Sequence, residues 1–274
     1  MEDEMIRLAV WNMHFNHDKQ KEKIKALTDE VDIAIFIEAE DIREEICCGS
    51  EEHFHPAFKN EYGIRAWVRP ESGISLSVEE HPSVDFNSQE TNMAVPYIVR
   101  KNGLDQFLLV AVWTNQEHLD NSISHGYKKL LTNIILKMQD GSRNFNLPQN
   151  DYLIVGDTNL TGEGNDLKEK ETDVRNTVER LLSKRDPTGP RLLDITDGNT
   201  DEMILENGSE KTFRSTYFHT NKKWYCCDLA IASESMAGRI EEKKIGDYRK
   251  WHKIVKGKSG SDHLPLFFQI AEKK

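Results

Sequence analysis

Asp151-Tyr152-Leu153-Ile154-Val155-Gly156-Asp157-Thr158-Asn159 is a compact apolar run that ends, past one glycine, in an aspartate and an asparagine two residues apart. A short apolar run closed by a turn signal reads as a buried strand, and the glycine permits a turn immediately after it. A carboxylate emerging there can take a proton from a water while the amide holds that water or a phosphate oxygen. An Asx-turn accounts for the same residues, because Asp and Asn also close strands by bonding their own backbone. What separates the two readings is repetition: elsewhere in the chain, other apolar runs also end in polar groups suited to chemistry.

Working outward, Ile6 to Trp11 ends at Asn12 and Val31 to Ile37 ends at Glu38, with a charged, solvent-facing helix predicted between them over Lys19 to Thr28. Both runs are apolar throughout instead of alternating, as in strands covered on two faces. Gly73–Val78, Ala94–Lys101 and Phe107–Thr114 read as successive antiparallel strands, the last two joined at Lys101-Asn102-Gly103, a hairpin signal. A helical stripe spans Tyr127 to Met138, and a second helix is placed near Asp173 to Lys184. Further strands are predicted at Leu192–Ile195, Thr212–Thr216, Trp224–Ala232, Ile240–Gly246 and Leu264–Ile270. No Ser- or Gly-rich linker and no repeat divides residues 1–274, so one domain is expected, with two packed sheets and helices outside.

The net charge of -11, with no long Lys/Arg block, disfavours indiscriminate binding to a polyanion. Any phosphate substrate would need a bound cation and a local basic patch. The acidic start Met1-Glu2-Asp3-Glu4 lacks the basic and apolar regions of a signal peptide, and no stretch reaches the roughly 20 apolar residues of a membrane span. Adjacent Cys47-Cys48 and Cys226-Cys227 are poor disulfide partners, which fits a reducing compartment, so a cytoplasmic location is expected. Cys47, Cys48, His53 and His55 match no zinc-site spacing.

Each remaining motif has two readings. Glu38 closes a buried run, yet an acid before Ala39-Glu40-Asp41 also suits the start of a helix. Asp228 lies within Trp224 to Ile231, where a buried carboxylate demands a partner, and His263 is the partner assigned to it. Ser261-Asp262-His263 supplies either a metal ligand beside a phosphate-facing imidazole or a satisfied strand end. Asn12 is a polar residue leaving a buried strand, which is common by itself.

Taken together, Trp11-Asn12, Glu38, Gly156-Asp157-Thr158-Asn159, Asp228 and Ser261-Asp262-His263-Leu264-Pro265, in this order, resemble the endonuclease/exonuclease/phosphatase superfamily over nearly the whole chain. The S-D-H-x-P match is the most specific. Phe15 and Lys19, Tyr217-Phe218-His219 and Trp251 resemble a bacterial branch of it. The resemblance implies an α/β (α+β) four-layered sandwich, two mixed or antiparallel β-sheets flanked by helices. It further implies metal binding by Asn12, Glu38 and Asp262 with Mg2+ or Mn2+, a water-activating Asp157 beside Asn159, and His263 held as imidazolium by Asp228. Three positions depart from the family. Trp113 stands where a proton-exchanging His or Tyr is often found, with Asn115 offering a second donor; His14 stands where abasic-site enzymes often carry an acid; Cys226 replaces a basic residue. Trp113, Asn115 and His219 are therefore the expected substrate contacts.

The expected activity is metal-dependent hydrolysis of a phosphate ester, with nucleic acid, DNA or RNA, as substrate and no obligate protein partner. Lys243, Lys244, Arg249, Lys250, Lys253, Lys256 and Lys258 offer a basic approach to Ser261, although a solvated charged face accounts for at least half of them. A phosphorylated small molecule or lipid headgroup is the alternative substrate, consistent with the acidic charge. A catalytically silent phosphate-binding member is the third reading, kept open by Trp113.

Overall fold

The computed structural model describes residues 5–14, 17–40, 52–56, 62–78, 93–114, 129, 131–135, 151–161, 167–183, 190–196, 203–204, 210–212, 214–218, 223–251 and 261–273. In chain order the strands are β1 (Met5–Asn12), β2 (Ile33–Ala39), β3 (Glu52–Pro56), β4 (Gly63–Val68), β5 (Ile74–Val78), β6 (Met93–Lys101), β7 (Leu104–Trp113), β8 (Tyr152–Asp157), β9 (Arg191–Leu192), β10 (Met203–Ile204), β11 (Glu210–Lys211), β12 (Tyr217–Phe218), β13 (Trp224–Tyr225), β14 (Asp228–Ala232), β15 (Ile240–Ile245) and β16 (Leu266–Ala271). They form two six-stranded sheets, β15-β16-β1-β2-β4-β3 and β5-β6-β7-β8-β14-β9, and two short hairpins. Only β1 with β2 and β7 with β8 run parallel within the sheets; the other ladders are antiparallel.

The uninterrupted apolar runs follow from the layering. Successive side chains of a strand face opposite sides. On β7, Phe107, Leu109, Ala111 and Trp113 enter the core between the sheets, while Leu108, Val110 and Val112 face outward. There they meet Val174, Val178 and Leu182 of the helix Leu167–Ser183, and Leu131, Ile134 and Ile135 of the helical residues 131–135. The helix His17–Thr28 adds Ile24 and Leu27 to the core cluster that includes β1 and β2. Burying each such side chain contributes roughly 1.5–3 kcal/mol, so a strand covered on both faces has reason to be apolar at every position. No described helix is long and apolar enough to cross a membrane.

Several predicted elements shift. The predicted strand Trp224–Ala232 is cut into β13 and β14 because side chains take the ladder bonds at Cys226-Cys227. Thr158 Oγ1 donates to Cys227 O at 2.8 Å, and Thr216 Oγ1 accepts from the amides of Cys227 and Asp228 at 3.1 Å each. In place of the strand predicted at Thr212–Thr216, the Thr212 amide donates to Ser215 Oγ at 3.0 Å and the Ser215 amide to Thr212 O at 3.1 Å, residue 213 lying outside the described residues. Strand β9 stops at Leu192, short of the predicted Ile195. Strands β3 and β4 were not anticipated, because Arg65 interrupts one run and His53 and His55 the other. The stripe predicted from Tyr127 to Met138 is helical over residues 131–135, and its ends lie outside the described residues.

Two features set the ends of the sandwich. At one, Gly156 has φ 145°, and a Cβ there would sit 2.1 Å from Val112 O and 2.9 Å from Ile37 Cδ1, so only glycine lets β8 lie this close to β7 and to the opposing sheet. At the other, Arg239 donates to Gln106 O at 2.7 Å, Asp151 Oδ2 at 2.9 Å and Ala271 O at 2.8 Å, tying the starts of β7 and β8 to the end of β16.

Candidate active site

Strand register brings the strand-end motifs together. Asn12 lies opposite Ile37 in the parallel β1–β2 ladder, so Asn12 and Glu38 leave the first sheet side by side. In the second sheet Asp157 lies opposite Trp113 on one side and Asp228 on the other. Strand β16 is antiparallel to β1 with Leu266 opposite Val10, so Asp262 and His263, just ahead of it, arrive at the same end.

Hydrogen bonds then close the group. Asn12 Nδ2 donates to Glu38 Oε1 at 3.0 Å and to Asp157 Oδ2 at 2.9 Å, joining acids from the two sheets. Its Oδ1 accepts from the His14 amide at 3.0 Å, so the amide is used at both atoms and acts as a spacer between carboxylates. Asn159, in a left-handed turn at φ 52°, folds back on Asp157: its amide reaches Oδ1 at 2.8 Å and its Nδ2 reaches Oδ2 at 2.9 Å and Thr114 O at 2.7 Å. His263 Nδ1 bonds Asp228 Oδ2 at 2.9 Å, the partnership expected from the sequence. Ser261 Oγ donates to Asn12 O at 2.5 Å and accepts from the His263 amide at 3.0 Å, hooking the segment before β16 onto β1.

The electrostatics are those of acids short of counter-charge. Burial pushes the Asp157 carboxyl up to about 8, with Asp228 and Glu38 adding repulsion and only His263 countering strongly. Burial likewise raises Glu38, against the Asn12 bond that favours its ionised form. Burial alone would lower His263, but Asp228 overrides it through charge and hydrogen bond, and the imidazole rises to about 10. At neutral pH the ring is therefore an imidazolium whose Nδ1–H donates to Asp228. Among the described residues no Lys or Arg pairs with Glu38, Asp157, Asp228 or Asp262; their only basic neighbours are His14 and His263.

The donor set fits a divalent cation. Asp262 Oδ1 is buried and accepts no hydrogen bond among the described residues, and Glu38 and Asp262 both lie 3.7 Å from His14 Nδ1. Hard carboxylate oxygens of this kind hold Mg2+ or Mn2+, which keep several waters. Asp157, Asp228 and His263 also place ligand atoms within 4.8 Å of one another. By spacing alone that trio can hold an ion, but Asp228 Oδ2 and His263 Nδ1 are already spent on each other. Glu38 and Asp262, whose carboxylates are not bonded to a histidine ring at hydrogen-bond distance, could also take part in holding an ion.

Of the expected substrate contacts, Trp113 is 1% exposed and packs in the core between the sheets, so its indole supports the floor under Asp157 and offers no face to a substrate. Asn115 and His219 lie outside the described residues, as do the side chains of Phe15 and Lys19 and residues 253, 256 and 258 of the basic group. Within that group Lys244 pairs with Glu242 and Lys250 with Glu30, which is the solvated-face alternative. Cys47 and Cys48 are also outside the described residues; His53 and His55 are on β3 beside Tyr97. Two site residues had no role assigned from sequence. Tyr217 lies against His263 with ring centroids 4.6 Å apart and planes tilted by 36°, and His14 turns back toward Glu38 and Asp262. Tyr217 was visible only as part of an aromatic tripeptide, and His14 only as a departure from an acidic position.

No family model and no curated protein matches the chain. Solved structures do. The endonuclease domain of TRAS1, a telomere-specific non-LTR retrotransposon, aligns with TM-score 0.58 at 15% identity over 99% of this chain and 100% of that one. The 3'-5' exonuclease NExo from Neisseria meningitidis gives 0.58 at 14% over 97% and 100%. An endonuclease/exonuclease/phosphatase family protein from Leptotrichia buccalis gives 0.56 at 15% over 97% and 99%. At such identities the likeness is one of architecture: this chain has the fold of these structures, two six-stranded sheets packed with helices outside.

Proposed function

We propose that this chain, acting as one domain in the cytoplasm, is a divalent-cation-dependent phosphoesterase whose substrate is a nucleic-acid phosphodiester. The observation that carries this is the meeting of Glu38, Asp157, Asp228, Asp262 and His263 at one sheet end, where the acids have no Lys or Arg partner among the described residues. Cleaving a phosphodiester needs an in-line water, neutralised non-bridging oxygens and a stabilised leaving oxygen.

Each need has a residue. Asp157 takes the proton of the attacking water, and Asn12 and Asn159 hold its carboxylate in place through three side-chain and backbone donors. His263, kept cationic by Asp228, stabilises negative charge on the phosphoryl or leaving oxygen through its Nε2. Glu38 and Asp262 would hold Mg2+ or Mn2+, which when bound would neutralise phosphate charge and favour ionisation of nearby acids. Tyr217, whose ring lies 4.6 Å from that of His263, covers one side of the imidazole.

Support for nucleic acid comes from the similar structures, which include an endonuclease and an exonuclease, the latter also as a 3' phosphatase bound to a product DNA hairpin. The second reading, a phosphorylated small molecule or lipid headgroup, is favoured by the net charge of -11, which repels a polyanion. Asp157→Ala and His263→Ala, assayed with Mg2+ on DNA, RNA and a phosphoinositide, test the proposal. Loss of turnover in both variants and on chelation is expected. Wild-type rates in both variants would sink it, and a preference for the phosphoinositide would select the second reading.

A further inference from the structure

A row of rings leads away from His263 and ends in a cation. Tyr217 is bridged to His263 and lies opposite Tyr225 in the β12–β13 hairpin, and residues directly opposite in antiparallel pairing share a face. The Phe218 amide on Asp262 O and the Leu264 amide on Thr216 O, each at 2.7 Å, fix that register. Ring centroids lie 4.6 Å apart from His263 to Tyr217 and 6.3 Å apart from Tyr217 to Tyr225. Over the Tyr225 ring sits the ammonium of Lys170, 5.0 Å from the centroid and within cation–π range. Lys170 is carried there by the first turn of the helix Leu167–Ser183.

The charge at the end of this row is not spent on an acid. Lys170 is partly exposed and makes no ion pair among the described residues. Its neighbour Glu171 is committed elsewhere, to Thr212 Oγ1 and to Arg214 at 2.9 Å each. Lys244 and Lys250, by contrast, are closed by Glu242 and Glu30. An ammonium seated on a ring face keeps its charge and its N–H donors for a further partner. Lys170, Tyr225 and Thr161, which follows Asn159 by two residues, also line a crevice of about 10 Å³, room for about one water. A ligand that meets Lys170 therefore lies across the row and is not enclosed.

Nucleic acid brings a phosphate on either side of the one being cleaved, and a net charge of -11 repels them all. Under the proposed function His263 meets the reacting phosphate. A cation farther along the same row offsets the repulsion where the next phosphate passes, and the half-buried Tyr217 between them offers a ring of the kind on which bases stack. We infer that Lys170, seated on Tyr225, binds a phosphate flanking the scissile bond. The inference rests on the phosphoesterase reading above and narrows its substrate to a strand that runs on past the cleaved ester.

Rates of wild type, Lys170→Gln and Lys170→Arg with Mg2+ on a single-stranded oligonucleotide, on bis(4-nitrophenyl) phosphate, which has no flanking phosphate, and on a soluble phosphoinositide test this. Lys170→Gln is expected to lower kcat/KM on the oligonucleotide about tenfold more than on the small diester, chiefly through KM. It should also flatten the slope of log kcat/KM against log salt by about 0.7, the loss of one phosphate contact on a single strand. Lys170→Arg is expected to keep the wild-type slope, because the charge remains. Equal losses on the oligonucleotide and the small diester would give Lys170 a structural role under Tyr225 and overturn the inference, as would an unchanged slope in Lys170→Gln. A wild type that cleaves the phosphoinositide and not the oligonucleotide overturns it as well. In each of those cases the phosphoesterase reading stands; a wild type inactive on all three substrates removes that reading and the inference with it.

Discussion

Strands β2 and β8 each have an acid at both ends, and the two ends are built in opposite ways. Asp32, just before β2, accepts from the Arg7 amide at 2.9 Å and from its guanidinium at 3.1 and 2.6 Å. Asp151, just before β8, is held by Arg239 and Lys273 at 2.9 Å each. Burial works against both carboxylates, yet these partners hold them below the usual range. At the far ends of the same strands, Glu38 and Asp157 meet amides in place of guanidinium groups, and both are raised. An acid at a strand end is therefore no sign of a site. What distinguishes one end is the missing counter-charge, which a bound cation supplies.

The largest contrast is between removing the two acids of β8. Asp151→Ala leaves the Arg239 guanidinium, which is 14% exposed, without its carboxylate, and breaking a buried pair from one side costs about 3–5 kcal/mol. Its phosphoesterase rate per folded molecule should stay near wild type. Asp157→Ala should do the reverse, lowering the rate about 10²–10⁴-fold as expected for loss of a general base, while the cation-free fold holds or gains stability because a desolvated acid is gone. Urea midpoints and turnover on the same preparations check both halves. If Asp157→Ala destabilises as much as Asp151→Ala, the two ends are not opposites.

A smaller effect is the response of stability to pH. Asp32 and Asp151 have folded values below their unfolded ones, so their contribution is present above the usual carboxylate range and lost as pH falls through the folded values. For Asp157 the folded value is raised to about 8, so the folded chain binds its proton more tightly and stability declines as pH climbs from about 4 to about 8. His263 continues the decline as pH rises toward about 10. Chelator-treated protein should thus be most stable in mild acid. Mg2+ or Mn2+ should flatten the loss between pH 4 and 8, because the ion favours the ionised Asp157. A pH series of urea midpoints that is identical with and without cation would show the acids to be satisfied by something else.

The same contrast explains what the sequence discloses. Asn12, Glu38, Asp157, Asp228 and His263 were legible because each ends or interrupts an apolar run, and in a two-sheet fold such ends share an edge. The compensated end was not legible, since nothing near Asp151 in sequence announces Arg239, 88 residues away. Nor was the amide of Asn12 legible as a bridge between acids from different sheets, because that role depends on how the sheets face each other. Trp113 was misplaced for a related reason: at the end of an alternating strand, one residue of register decides between the core and the edge. Arg65 hid β4 because it is buried yet charged.

The smallest expected effect is the most specific. Asp228 has two separable actions on His263: it orients the ring through Nδ1 and it keeps the ring charged. Asp228→Asn retains an acceptor for Nδ1–H but removes the charge. The alkaline limb of the rate, set in wild type by His263 near about 10, should then move toward the ordinary histidine range of about 6.5. As pH falls the imidazolium depends less on Asp228, so the variant should keep a larger fraction of the wild-type rate at pH 6 than at pH 9. A rate ratio that stays constant across pH would assign Asp228 to orientation alone. In that case the site's positive charge at neutral pH would have to come from the bound cation, and the electrostatic difference between the two ends of the sandwich would rest on the ion instead of on His263.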